Sequence, residues 1–106
     1  MRDPGLDRHQ FETEWEGLEP LVEDSPGEAL PEVGDLVERM LREMHIPIDD
    51  EVADDGIEPE LVRDYAAARE TTNRVERGED VPPGDIGDAI HAFRRIYDAL
   101  IGRLNA

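Results

Sequence analysis

Residues 82–104 read Pro82-Pro83-Gly84-Asp85-Ile86-Gly87-Asp88-Ala89-Ile90-His91-Ala92-Phe93-Arg94-Arg95-Ile96-Tyr97-Asp98-Ala99-Leu100-Ile101-Gly102-Arg103-Leu104. Ile86, Ile90, Phe93, Ile96, Tyr97, Leu100, Ile101 and Leu104 recur at helical intervals and form one wide apolar face. The Pro-Pro-Gly lead-in marks the start. Asp85 reads as the N-cap and Asp88 falls in the first turn, where a carboxylate favours the helix dipole. The spacing predicts a helix over 85–104. So wide an apolar face must be covered, and the rest of the chain has to supply the cover.

Three further segments carry the same period. Leu61, Tyr65, Ala68, Thr72 and Val75 predict a helix over 59–77, with Pro59 in its first turn. Ala66, Ala67 and Ala68 favour that helix and allow close approach by a neighbour. Arg74 and Arg77 suit its negative C-terminal end, and Gly78 suits the position just beyond. Val33, Leu36, Val37, Met40, Leu41 and Met44 predict a helix over 31–45, with Asp35, Glu38, Arg39, Arg42 and Glu43 opposite. Phe11, Trp15, Leu18 and Val22 predict one over 7–18, with Asp7 as N-cap. Pro20 is expected to end or kink that helix, because its ring clashes with the carbonyl four residues back. Ser25-Pro26-Gly27-Glu28 reads as a capping box, yet Pro31 follows closely, so a turn and a second start are expected at Pro31. Residues 46–58 read as a loop.

No segment alternates like a strand, no repeat appears, and no Gly/Ser linker divides the chain. The expectation is an all-α fold, a single domain over 1–106. It is a bundle of four helices with the last two as an antiparallel hairpin. The aromatic and Met side chains on these stripes are expected in the core. Four short amphipathic helices cover one another incompletely, so a homodimer is also expected.

The 106 residues carry 28 acidic and 11 basic side chains, every basic one Arg, for a formal charge of −17. That balance argues against direct nucleic-acid binding, which requires cations to displace counterions. It also argues against docking on an anionic membrane. With no Cys there is no disulfide, thiol nucleophile or thiolate metal site. No apolar run approaches the roughly 20 residues of a spanning helix, and the N-terminus lacks a signal peptide's apolar stretch. A cytoplasmic protein is the expectation.

The charge is uneven. Residues 1–30 hold nine acids and two Arg, and residues 31–57 hold nine and two again. Residues 58–78 hold five acids and four Arg, and residues 79–106 hold five and three. The first 57 residues therefore carry −14. A proteome adapted to salt or to high GC content explains the missing Lys, but it would acidify the last two helices as well. Two readings stand: a solvated acidic surface, and an acidic face for a basic partner protein, with nucleic-acid mimicry as the extreme form. Glu12, Glu16, Glu19 and Glu23 recur along one flank if the first helix continues past Pro20, and they are the candidate partner-binding residues.

Catalytic patterns are sparse. Ser25 is the only Ser, and no Ser/His/Asp set or glycine-rich phosphate loop appears. In the acidic loop, taking Gly56 as the turn residue of a calcium loop puts Ala53 and Val62 at ligand positions, so that register fails. Asp88 and His91 form a single Asp-x-x-His pair facing away from the apolar stripe. With Arg95 and Asp98 they read as a surface ladder of charge pairs. No cofactor is therefore expected from these groups.

One pattern does carry chemistry. Glu16-x-x-Glu19 followed by Glu32-x-x-Asp35 resembles the Glu-x-x-Glu…Glu-x-x-Asp motif of MazG-type nucleotide pyrophosphohydrolases, an all-α family. The resemblance implies that Glu16, Glu19, Glu32 and Asp35 hold Mg²⁺, which activates water against a nucleoside triphosphate. Two expectations of different kinds result: a non-catalytic protein acting through protein contact, and as the alternative a Mg²⁺-dependent hydrolase.

Overall fold

A computed structural model describes residues 4–44 and 59–104, which form four helices. They are α1 (Pro4–Asp24), α2 (Pro26–Glu43), α3 (Pro59–Glu76) and α4 (Pro83–Leu104), with no strand among the described residues. The expected loop over 46–58 and the last residue of the helix expected over 31–45 lie outside the described residues.

Two boundaries differ from the reading of the sequence, both at prolines. α1 does not stop at Pro20 but continues for four residues. Pro20 and Glu16, whose carbonyl loses its partner, both face solvent, so water can satisfy the freed oxygen. α2 does not begin at Pro31 but at Pro26, and it runs through Pro31. Leu30 and Val33 on either side of Pro31 are fully buried, and their packing holds the segment helical against the proline's cost.

The caps also differ in detail. Ser25 occupies the N-cap position of α2, and its carbonyl accepts from the N–H groups of Glu28 and Ala29 at 3.0 Å. Its hydroxyl makes no cap bond, so the expected capping box is absent. α4 begins at Pro83 with Pro82 as the residue before it, whose carbonyl accepts from Asp85 and Ile86. Asp85 is therefore an acid of the first turn and not the N-cap. Asp7, the expected N-cap of α1, lies inside that helix.

The end of α3 follows the expected pattern. Gly78 takes φ +81°, a conformation that costs a residue without Cβ little. Glu79 N–H donates to the Arg74 carbonyl and Gly78 N–H to that of Val75, both at 3.0 Å. This is the Schellman arrangement. Arg74 and Arg77 both donate to the Glu79 carboxylate, at 3.2 and 2.8 Å, and hold its pKa below the usual carboxylate value.

Side-chain pairs give the helix directions. Asp64 meets Arg95, Tyr65 meets Phe93 edge-on, and Thr71 shares a groove with Asp88, so α3 and α4 are antiparallel. Glu14 meets Arg39, and Leu18 shares a groove with Leu36, so α1 and α2 are antiparallel too. Trp15 stacks on Tyr97 and Glu19 meets Arg94, which sets α1 antiparallel to α4. α2 packs against all three other helices, whereas α1 and α3 do not touch among the described residues. The result is a flat bundle, 43 × 32 × 18 Å across its Cα atoms, with α2 and α4 along its middle.

The middle pair needs close approach. A Cβ on Gly34 of α2 would stand 3.1 Å from the Phe93 ring and 2.9 Å from a guanidinium nitrogen of Arg69. Glycine at this position lets α4 and α3 approach the α2 backbone. Phe93, Ile96 and Leu100 of α4, together with Leu30, Val33, Val37 and Met40 of α2, are wholly buried there. Phe11, Trp15 and Met40 are core side chains, as expected; Leu18 and Met44 are half-buried against them. Thr72 is wholly buried, and its hydroxyl donates to the Ala68 carbonyl at 2.7 Å. No helix among the described residues is long and apolar enough to cross a membrane.

Candidate functional site

Continuation of α1 past Pro20 decides the geometry of its acidic row. Glu12, Glu16, Glu19 and Glu23 stand at i, i+4, i+7 and i+11 on one unbroken helix, beside the apolar stripe of Phe11, Trp15, Leu18 and Val22. The row lies along the seam with α4. Glu19 accepts from Arg94 of α4 at 3.2 Å, and Glu12 pairs with Arg8 one turn back at 3.3 Å. Glu16 and Glu23 are exposed and carry no ion pair among the described residues. The four carboxylates are thus brought together as a row but are not equivalent.

Beneath the row sits an aromatic pair. The rings of Trp15 and Tyr97 stack with centroids 4.2 Å apart and planes 14° from parallel, and each residue is only 7% exposed. The Arg94 guanidinium lies 5.6 Å from the Trp15 ring, a cation–π distance, while it also holds Glu19. Burial, reinforced by the charges of Glu12, Asp98, Glu16 and Glu19, pushes the Tyr97 phenol up to about 12. The seam therefore presents fixed negative charge over a rigid apolar bed.

On the other flank of α1 a single carboxylate is paired. Arg39 of α2 donates through two nitrogens to Glu14, and that bond raises the arginine's pKa. Around this contact runs a groove lined by Glu14, Leu18, Glu32, Asp35, Leu36 and Arg39. Glu32 and Asp35, two of the four carboxylates in the hydrolase-like pattern, therefore face Glu14 and Leu18. Glu19 points to α4 instead, and Glu16 is exposed to solvent. The structure does not gather Glu16, Glu19, Glu32 and Asp35. Among the described residues no group of three or more His, Asp or Glu side chains stands close enough to hold a metal ion.

On α4, Asp88 and His91 are exposed, as their positions predict. The expected ladder with Arg95 is not formed, because Arg95 turns to Asp64 of α3 at 3.2 Å. His91 instead edges a second groove, of about 300 Å³, lined by Val22, Glu23, Pro26, Gly87, Ile90 and Arg94. Sequence reasoning missed it, since its walls come from three helices and no local spacing marks it.

Compared with known proteins, the chain matches no family model, no curated protein and no solved structure.

Proposed function

We propose that this is a non-catalytic α-helical protein that acts by docking a basic partner protein on the acidic flank of α1. The observation that carries the reading is the unbroken helix through Pro20, which keeps Glu12, Glu16, Glu19 and Glu23 in one row. Charge supports it. α1 holds seven acids and one Arg, whereas α4 beside it holds three of each. The last turn of α1 contains no basic residue, while α2, α3 and α4 end with Arg42, Arg74 and Arg103 in theirs. Cations belong at that end of a helix. The start of α2 one residue later offsets the backbone dipole of α1, but the charges of Glu23 and Asp24 remain for a partner to meet. Such a row of carboxylates also suits a protein surface that ordinarily holds phosphates, so mimicry of nucleic acid is the limiting form of the same contact.

Capture of host proteins on the immobilised full chain, at low and at molar salt, tests the reading. Replacing Glu12, Glu16, Glu19 and Glu23 with Gln should release the captured basic protein. Replacing Asp85, Asp88 and Asp98 with Asn should leave capture nearly unchanged. Glu12 and Glu19 already meet arginines, so Glu16→Gln with Glu23→Gln should account for most of the loss. Equal loss from both sets would reduce the interaction to net charge. Diphosphate release from nucleoside triphosphates with Mg²⁺, abolished by Glu32→Gln and Asp35→Asn, would replace this reading with a hydrolase.

A further inference from the structure

We infer that the groove between Val22, Pro26, Gly87 and Ile90 receives an apolar side chain of a cationic, helical segment whose charges lie on Glu16 and Glu23; this rests on the docking reading above. The groove opens at the C-terminal end of the acidic row, where α1, the start of α2 and α4 converge. Its walls are mainly apolar: Val22 is half-buried, Ile90 is buried, and a Cβ added at Gly87 would meet nothing within 4 Å. That is room for an aliphatic side chain, not for a large ligand.

Charge defines the occupant. Glu23 stands on the groove's rim, and Glu16 stands two turns up the same helix, about 10 Å away. Both are exposed and without ion pairs among the described residues. Arg94, the fixed cation on the opposite rim, is held by Glu19 and by the Trp15 ring. Its ion pair is with Glu19 and not with Glu23, while its buried Nε meets no acceptor and His91 stands on the same rim. A partner helix with Lys or Arg at i and i+7 matches the spacing of Glu16 and Glu23. An apolar side chain beside the second cation then falls over Val22 and Ile90. Hot spots of this kind, one buried anchor with charges at its edge, supply affinity through the anchor and register through the charges.

The experiment uses the full chain and two fluorescein-labelled helical peptides, each with Arg at i and i+7, that differ only in Leu or Ala at the anchor position. Fluorescence anisotropy at low salt should give the Leu peptide about tenfold tighter binding, the ratio expected when roughly two of the three extra carbons of Leu are buried in an open groove. Gly87→Leu fills the groove with no change of charge and improves helix propensity. It should bring the Leu-to-Ala ratio to about one and leave the Ala peptide's affinity unchanged. Gly87→Ala, which occupies little of the groove, should keep most of the preference, and circular dichroism of both variants checks the fold. Glu16→Gln with Glu23→Gln should weaken both peptides alike. Equal, salt-sensitive binding of the two peptides would overturn the groove and leave the docking surface standing. A preference that survives Gly87→Leu would also overturn it. Failure of both peptides to bind at any salt would remove the docking reading itself. A self-associated chain in sedimentation, made monomeric by Gly87→Leu, would assign the groove to a second copy and overturn the proposal.

Discussion

α1 and α4 are nearly equal in length, 21 and 22 residues, and lie against each other, yet they do opposite work. α4 buries seven side chains along its length and its charges cancel. Among the described residues α1 buries Phe11 and Trp15 and otherwise touches the core through half-buried residues such as Leu18 and Val22, while holding a charge of −6. Packing energy scales with apolar area removed from water, so the fold rests mainly on α4 and its neighbour α2. α1 covers one side of that pair and displays carboxylates. A helix that keeps its carboxylates in water can carry their charge without the cost of burying it.

The same deletion made in both helices would break this comparison most directly. Leu100 of α4 is wholly buried, so Leu100→Ala should cost about 2–5 kcal/mol, a large share of a small domain's stability. Leu18 of α1 is half-buried, and Leu18→Ala should cost about 1–2 kcal/mol, since part of its surface already meets water. Urea melts read both. Equal losses would mean that α1 is as structural as α4, and the division proposed between them would fall.

A second outcome concerns the seam where the two helices meet. The Tyr97 phenol is held near 12, chiefly by burial and then by the carboxylates around it. Its proton is bound more tightly in the folded chain than in the unfolded one, where it leaves near 10. The stability this gives is complete below pH 10 and is lost as pH rises from about 10 to 12. After allowance for solvent screening the loss is roughly 1–2 kcal/mol. Tyr97→Phe should remove that alkaline decline while leaving melts at pH 7 little changed. Absorbance at the tyrosinate band should show one phenol fewer titrating near pH 12. Ionisation of that phenol near pH 10 would mean that α1 does not seal the seam.

How far the sequence reveals this molecule depends on the element. The apolar stripes of α3 and α4 mark both helices within two residues, because Gly78 and the Pro82-Pro83 pair are local signals acting on local backbone. Pro20 and Pro31 misled, since the ring's effect is local but the force that keeps those segments helical is not. Leu30 and Val33 are buried because α2 packs against the other three helices, whose approach no window around Pro31 can show. The site divides the same way. The spacing of Glu12, Glu16, Glu19 and Glu23 is readable, whereas their inequality depends on Arg94, 75 positions away from Glu19. Likewise Glu-x-x-Glu and Glu-x-x-Asp put each pair on one helix, and only the packing decides that the pairs face different neighbours.

The smallest effect is also the sharpest test of what the charge on α1 does. Exposed carboxylates that meet no arginine should repel one another, so the melting temperature should rise between low and molar salt as screening sets in. Glu16→Gln with Glu23→Gln removes two such charges, and Glu23 stands beside Asp24 with no basic residue in the last turn of α1. Each change should stabilise by a few tenths of a kcal/mol at low salt, together about 2–4 °C in melting temperature, and should shrink the response to salt. Asp85→Asn makes a matching change of charge at the first turn of α4, where a carboxylate favours the dipole. The fall in net charge per substitution is the same, yet this variant should melt slightly lower. Opposite signs from like substitutions would show that position, not the total of −17, sets the cost of each carboxylate. That cost would then fall on the row of α1, where a cationic partner relieves it. A common sign would make the charge a property of the whole surface and leave the row with no special claim to a partner.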